Sequence, residues 1–372
     1  MQYLFIDGNN LGVRTSFVNK ELGVNAIDYT KDFDPDDTLS IDSWFPTGAI
    51  HGFFKTLNSM QKMFPNRYIC VIWDGKSASR IEESKAAVEK GIIPQYYKEN
   101  RLVNATREEI VNFKRQKPVI MKALSLTNIP QIVKLNEEAD DVIASLTKKF
   151  ANDDIVVLTN DHDYYQLFSK NVKILNANGN VLTESWFTTS FGISPKQWVD
   201  VGALMGDDGD GIYGVPSVGE KTALQEIIKY ETCEASLQNM HSQYDHLKVQ
   251  FPDLGHEAFS ELKNIKNKKE KPKYPFIKEW MPFTGVALAY EQNKVKIPKA
   301  ALMCLIYESR VPLAKSLKGM HLNIPLPMLP VDLQRNKTEE FIQLCQKYQL
   351  NEVEQNAERI CSSQLMTDSS VF

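Results

Sequence analysis

Cysteine pairs, long apolar runs and a strong net charge are all missing from this sequence. Its five cysteines, Cys70, Cys233, Cys304, Cys345 and Cys361, lie far apart with no CxxC pair. That spacing argues against a zinc site and against a disulfide framework, so buried or incidental thiols are expected. No apolar run is long enough to cross a bilayer, and the opening MQYLFIDGNN starts on a strand rather than on a signal peptide, so a cytoplasmic protein is expected. The formal charge of -4 excludes little, because acidic residues concentrated at one site can hide basic surface elsewhere. What remains is room: 372 residues with 42% hydrophobic content can build two domains and a sizeable core.

The stretch around which the rest is organised is Glu137-Glu138-Ala139-Asp140-Asp141, followed after one helix and one strand by Thr159-Asn160-Asp161-His162-Asp163. EEADDVIASLTKKF predicts a helix with Val142, Ile143 and Leu146 on its apolar side, so Glu138 and Asp141, at i and i+3, project from one face. Ile155 to Leu158 is an all-apolar run that predicts a strand buried on both faces, delivering Asp161 and Asp163 at its carboxyl end. In an open α/β sheet that edge is where ligands bind. Carboxylates about 4 Å apart repel by roughly 4 kcal/mol per pair at an effective dielectric near 20. A hard divalent cation removes the difficulty, and all-oxygen ligation suits Mg²⁺ or Mn²⁺.

Taken in order, Tyr3 to Ile6 predicts a buried strand ending in Asp7, and Tyr68 to Trp73 a second one ending in Asp74. A helix from Gly48 to about Lys62 separates them, and the strand–helix–strand alternation points to a parallel sheet. Residues 21–42, acidic and broken by Asp34-Pro35, read as an insertion loop. Between Gly75 and Pro118 the chain turns polar, with Lys76, Arg80, Lys85, Lys90, Lys98, Arg101, Arg107, Lys114, Arg115 and Lys117, and with Tyr96 and Tyr97 among them. Basic residues mixed with aromatics can hold phosphates and stack bases, although a solvated helical face has the same composition. A further strand at Val172 to Leu175 and a helix at Pro195 to Met205 lead to GDDGDG, where Asp207 and Asp210 are again three apart. The glycines of the following GVPSVGEKTA allow a tight hairpin between helices, with backbone N–H groups free for a phosphate. The basic segment Lys263 to Lys278 reads either as a DNA-contacting loop or as a mobile insertion, helices resume at 300–308 and 338–349, and residues 361–372 read as a frayed tail.

Assembled, these pieces resemble the 5′-nuclease (flap endonuclease) superfamily, most of all phage-type 5′→3′ exonucleases and the N-terminal nuclease domain of bacterial DNA polymerase I. The resemblance is carried by FIDGNNLGVR (5–14), PTGAIHGFF (46–54), VIWDGKSASR (71–80), YKENR (97–101), EADDVI (138–143), LTNDHDYYQL (158–167), LMGDDGDGIYGVPSVGEKTA (204–223) and a weaker ESRVPLA (308–314). It implies an α/β fold: a PIN-like, mainly parallel central sheet with flanking helices over 1–190, and a helical arch at about 76–118. A helix-hairpin-helix domain is then expected over 191–360, all-α and DNA-binding, with a basic insertion at about 263–297.

The resemblance further implies one cation held chiefly by Asp7, Asp74, Glu138 and Asp140, and a second favoured by Asp141, Asp161, Asp163, Asp207 and Asp210. Mg²⁺ is the expected metal, with Mn²⁺ able to replace it. Lys98, Arg101 and Arg80 match arch residues that position the scissile phosphate, and Arg14 matches an arginine near the active site. Tyr97 and the hairpin residues Gly214, Val215, Ser217, Val218, Gly219, Lys221 and Thr222 are expected to bind DNA, with K⁺ at the hairpin. The implied activity is two-metal, structure-selective 5′→3′ exonuclease and flap endonuclease cleavage by a monomer, in the host cytoplasm if a phage encodes it. The implied partners are DNA with 5′ flaps, nicks or free 5′ ends, with RNA–DNA primers as a further candidate.

Departures from the pattern include a longer spacing from Arg80 to Tyr97, Gly211 where asparagine is common, and Tyr213 where proline is frequent. His162 alternates away from its flanking carboxylates, and Asp208 and Glu137 read as solvated neighbours. His51 reads as a packed or exposed residue rather than a catalytic one, and Trp73 as a core residue. Two other functions share parts of this pattern. A PIN-like ribonuclease would normally be shorter and lack the hairpin, and a non-catalytic structure-selective DNA-binding protein would have lost ligands.

Overall fold

The computed structural model describes residues 1–25, 44–101, 107–276, 281–326 and 337–362. Most of the acidic loop expected at 21–42, part of the arch, part of the insertion at 263–297 and the tail from 363 onward lie outside the described residues.

The strands in chain order are β1 (Gln2–Asp7), β2 (Gly23–Asn25), β3 (Trp44–Pro46), β4 (Tyr68–Trp73), β5 (Gln131–Val133), β6 (Asp154–Leu158), β7 (Val172–Leu175) and β8 (Val181–Leu182). Six of them form one sheet in the order β5-β4-β1-β6-β7-β8, and β2 and β3 form a separate antiparallel pair. Every pairing in the large sheet is parallel except β7 with β8. The central strands are apolar throughout because both faces of the sheet are covered. Tyr3, Phe5, Cys70, Ile72, Ile155 and Val157 point into one core, shared with the helix Ala139–Lys149 and the C-terminal helices. Leu4, Ile6, Ile69, Val71, Val156 and Leu158 point into the other, under the helices Gly48–Met63 and Glu108–Leu126.

Strand register brings the acids together. Asp7 lies beside Ile72, and Ile6 beside Leu158, so the chain leaves β1, β4 and β6 at one edge, three neighbouring strands about 4.8 Å apart. The order runs outward from β1 in both directions, which makes this edge a topological switch point.

Beyond the sheet, the helices Trp198–Met205, Glu220–Tyr230, Cys233–Tyr244, Lys299–Ile306 and Arg310–Lys318 continue the first core. Three expectations change here. The insertion at 263–297 is partly core, because Phe283, Val286 and Ala287 of its last portion are fully buried. Over the expected arch the described residues form the helix Ala78–Glu89, turns within 90–100, and the helix Glu108–Leu126, which extends past the expected end at Pro118. That second helix runs through Pro118, whose missing N–H removes one helical bond at an exposed position.

The third change concerns the domain expected to run from 191 to 360. Its end, Thr338–Cys361, packs instead on the N-terminal unit: Phe341 meets Phe54 at 5.3 Å, Tyr348 meets Phe45 at 5.5 Å, and Asn128 donates to the Cys361 carbonyl at 2.7 Å. Phe341, Cys345, Leu350 and Ile360 are an apolar stripe whose complement is the outer face of Gly48–Met63. All five cysteines are buried free thiols.

Candidate metal and nucleic-acid site

Asp7, the last residue of β1, caps the helix Gly8–Val18 by accepting the Asn10 N–H at 2.9 Å, and Tyr164 donates its hydroxyl to the other oxygen at 3.2 Å. Asp74, just past β4, accepts from Asn9 Nδ2 at 2.7 Å and from the Ala139 N–H at 2.9 Å. Asp161 caps the 3-10 turn His162–Leu167 by accepting the Asp163 N–H at 2.9 Å. Burial, then the neighbouring Asp74 charge, pushes Asp7 up to about 8. Burial and the Asp141 charge hold Asp140 well above the ordinary carboxylate range, and burial raises Asp161. Asp7, Asp74, Asp140 and Asp161 have no ion-pair partner among the described residues. Acids drawn together without a direct ion pair in this way suit a hard, oxygen-ligated cation.

The expected partition of EADD is altered. Asp141 is fully buried, and Arg80 grips both its oxygens at 2.5 and 2.7 Å while the His321 N–H adds a bond at 2.8 Å. Its oxygens are therefore committed away from the Asp161 group assigned to it. The i, i+3 spacing still brings Glu138, the N-cap of this helix, and Asp141 to one side, where oxygens of Glu138, Asp140 and Asp141 all lie within 4.8 Å of one another and the same Arg80 nitrogen bonds Glu138 and Asp141. Arg80, itself 2% exposed, also bonds Glu138 at 3.2 Å and the Gly319 carbonyl at 2.9 Å. A guanidinium so enclosed is a structural clamp rather than a phosphate-positioning group. Tyr97 is likewise buried, with its hydroxyl donating to Glu138 at 2.8 Å and its ring under Lys98, so it offers no face to a base.

Lys98 donates to Glu138 at 2.6 Å and stands 3.6 Å from Asp210, and the exposed Arg101 pairs with Asp210. These cations hold Asp210 below the usual carboxylate range despite its burial. Arg14 is half-buried on the first helix, its pKa lowered by desolvation, with no ion pair among the described residues.

Asp163 and Asp207 share a partner that the sequence did not single out: Lys318 Nζ lies 2.5 Å from Asp163 and 2.8 Å from Asp207. Burial still raises Asp163 to about 6. Lys117 has no individual signal either, being one of ten basic residues in its run. It donates to Asn9 Oδ1 at 3.0 Å, and so fixes the amide that holds Asp74.

A cleft of about 580 Å³ is lined by Asp161, His162, Asp163, Asp207, Glu220 and Lys318, among others. His162 stacks on Tyr165 at 4.8 Å rather than joining its neighbours. In the hairpin, Gly206 has a positive φ of 76°, and a Cβ on Gly214 would sit 2.3 Å from the Gly206 nitrogen, so Gly214 is needed for this close approach. Val215 and Val218 are buried, and their N–H groups bond Leu204 and Val215 carbonyls, which leaves neither for DNA. Ser217, Gly219 and Lys221 are exposed at the start of Glu220–Tyr230, and Thr222 is partly so.

Residues 2–192 match the family described as 5'-3' exonuclease, N-terminal resolvase-like domain, and residues 193–271 that described as 5'-3' exonuclease, C-terminal SAM fold. A thermostable DNA polymerase I of Thermus thermophilus is 31% identical over 239 residues, 64% of this chain but only 25% of the polymerase. The chain therefore spans about a quarter of the length of its polymerase relatives. The 5'-3' exonuclease of Aquifex aeolicus is 34% identical over 204 residues, 54% of this chain and 66% of that protein. The 5'-3' exonuclease of Buchnera aphidicola is 31% identical over 226 residues, 59% of this chain and 72% of that protein.

Two solved structures share the fold. One is T5 5'-exonuclease with divalent metal ions (zinc) bound, at a TM-score of 0.55 and 16% identity, covering 97% of this chain and 100% of that one. The other is the catalytic core of Rad2 in complex with DNA substrate, at a TM-score of 0.51 and 13% identity, covering 96% and 91%. No helix among the described residues is long and apolar enough to cross a membrane. With the resolvase-like match spanning the sheet whose strand ends carry Asp7, Asp74 and Asp161, and the SAM-fold match beginning where that unit stops, the chain belongs to the 5'-3' exonuclease family.

Proposed function

We propose that this chain hydrolyses phosphodiester bonds in DNA at 5′ ends and 5′ flaps, recognising the form of the junction rather than its sequence. The observation that carries the reading is the convergence of Asp7, Asp74 and Asp161 on one sheet edge, with Asp140 at the start of the adjoining helix and no cation paired to any of the four among the described residues. Asp7, Asp74 and Asp140 would hold a divalent cation, Mg²⁺ or Mn²⁺, with Asp161 beside them. Glu138, already given bonds by Arg80, Tyr97 and Lys98, is better suited to holding Lys98 in place than to ligation. When bound, the cation would supply charge stabilisation at the phosphate and a more acidic water.

The remaining work falls to the chain itself. Tyr164 and the Asn10 N–H fix Asp7, while Asn9 and the Ala139 N–H fix Asp74, so the acids are oriented before substrate arrives. Lys98 and Arg101, resting on Glu138 and Asp210, are cations that could transfer to a scissile phosphate. Gly219, Lys221 and Thr222, at a helix N-terminus without a side-chain cap, would take the backbone of the duplex. A second ion would meet an obstacle, because the Asp163–Asp207 pair already holds Lys318.

The test is incubation of 5′-labelled flap, nicked duplex, RNA–DNA hybrid and single-stranded RNA with Mg²⁺, Mn²⁺ or EDTA, using wild type and Asp74→Asn. Short 5′ products from flap and duplex with either cation, and none in EDTA or from Asp74→Asn, are expected. Cleavage in EDTA or undiminished cleavage by Asp74→Asn overturns the site. Preference for single-stranded RNA would make the chain a ribonuclease instead, and binding without cleavage a structure-selective DNA-binding protein.

A further inference from the structure

The two acidic groups at the sheet edge differ in where their cations stand: in the first, Arg80 and Lys98 bond Glu138 and none pairs with Asp7, Asp74 or Asp140 among the described residues, whereas in the second one cation bridges two acids. Lys318 closes the helix Arg310–Lys318, far along the chain from both of its partners, yet its Nζ sits 2.5 Å from Asp163 Oδ1 and 2.8 Å from Asp207 Oδ2. The side chain is 7% exposed, and its stem lies over Gly202, where an added Cβ would come within 3.1 Å of the lysine Cε. The backbone around it is tied to the same turn that carries Asp163. Gln166 donates to the carbonyls of both Asp163 and Lys318, at 2.8 and 3.1 Å, and accepts the Met320 N–H at 3.0 Å. An ammonium delivered by a pinned chain, on a stem packed against a glycine, is built into the site and is not a wandering surface lysine.

Asp210, another member of this group, is also compensated, by Arg101 and Lys98. Asp161 alone keeps no ion-pair partner among the described residues, and its nearest uncompensated acids are those of the first group.

We propose that Lys318 is the resident counter-charge of the Asp163–Asp207 pair, standing on the oxygens that a second divalent cation would need. The DNA-free protein then takes up one divalent cation tightly and a second only by displacing Lys318. The inference rests on the reading of the first acidic group as a divalent-cation site. Gly202 is then a specificity element, because any larger residue there would press on the lysine stem and push the ammonium out of register.

The experiment is a Mn²⁺ titration of the chelator-treated full chain without DNA, read by calorimetry and by electron paramagnetic resonance. Wild type is expected to bind one Mn²⁺ with the spectrum of an isolated ion. Lys318→Met, which keeps the stem and removes the charge, is expected to bind a second at least tenfold more tightly than wild type, with the broadening of two coupled ions. Lys318→Arg is expected to stay at one. Two coupled ions in wild type, or one ion in a folded Lys318→Met, overturns the inference and leaves the first site standing. Absence of any bound Mn²⁺ overturns the metal reading itself, and the inference with it. The wild-type spectrum decides even if Lys318→Met does not fold.

Discussion

Replacing Arg80 separates a structural clamp from a phosphate-binding arm. Its guanidinium makes a forked pair with Asp141 at 2.5 and 2.7 Å and adds bonds to Glu138 and the Gly319 carbonyl, with 2% of the arginine and none of the aspartate exposed. Arg80→Met keeps much of the volume but leaves Asp141 with the His321 N–H and, as its one remaining ion-pair partner among the described residues, the His321 ring 4.0 Å away, which carries charge only when protonated. Removing one partner of a buried pair costs about 3–5 kcal/mol, because the other is left uncompensated away from water. At roughly 2–4 °C per kcal/mol for a unit of this size, the melting midpoint should fall by about 6–20 °C. Arg80→Met/Asp141→Leu, with neither charge present, should recover most of that loss. Urea unfolding in EDTA, run as a double-mutant cycle, measures the coupling, and the salt dependence of DNA binding is followed in parallel. The clamp is refuted if Arg80→Met unfolds within about 1 kcal/mol of wild type while its DNA affinity drops and its salt slope flattens.

Other consequences can be checked separately. Asp7, raised to about 8, keeps a proton in the folded state that an unfolded carboxylate near 3.8 has released, so in EDTA stability should fall as pH rises from about 4 to about 8 and then level off. Asp7→Asn should flatten that decline, and a wild-type melting midpoint independent of pH would refute the crowding. Lys98→Ala should slow single-turnover cleavage by about 10²–10³. Lys221→Ala should instead weaken binding and reduce the salt slope by about one, with the saturated rate little changed; equal effects on that rate would mean one of the two is misplaced. Phe341→Ala, which removes a fully buried ring packed on Phe54, should destabilise the N-terminal unit by about 3–5 kcal/mol. Unchanged urea unfolding would detach the Thr338–Cys361 segment from that core.

The parts of the fold legible in the sequence are those whose environment is uniform. Tyr3 to Ile6, Tyr68 to Trp73 and Ile155 to Leu158 are apolar at every position because helices cover both faces of the sheet, and each is followed within a few residues by an acid at the strand end. Short β5 and β8 carry no comparable run and give no such signal. Helical spacing brings Glu138 and Asp141 to one side but gives no sign that Arg80, sixty-one residues away from Asp141 in sequence, occupies their oxygens. Lys318 has no local signal at all: KSLK reads as the end of an ordinary surface helix, and only the Gln166 bonds that fix the backbone after it turn it inward. Periodicity reports which face of an element is dry, but not which distant side chain meets it there.

The return of Thr338–Cys361 to the first half of the molecule has a consequence for synthesis. The outer face of Gly48–Met63, with Phe53, Phe54 and Leu57, emerges early but receives Phe341, Val353 and Ile360 only much later in translation. The resolvase-like match ends at residue 192 and this C-terminal segment at 361, so at about 5–20 residues per second the nascent unit waits roughly 8–34 s with that apolar face bare. During that interval it is a target for holdase chaperones and for neighbouring nascent chains. Ribosome-bound chains arrested before residue 338 should be cut readily by protease within 48–63, and chains extended past 361 and clear of the exit tunnel should be protected. Equal protection of both would mean that the early unit closes on its own.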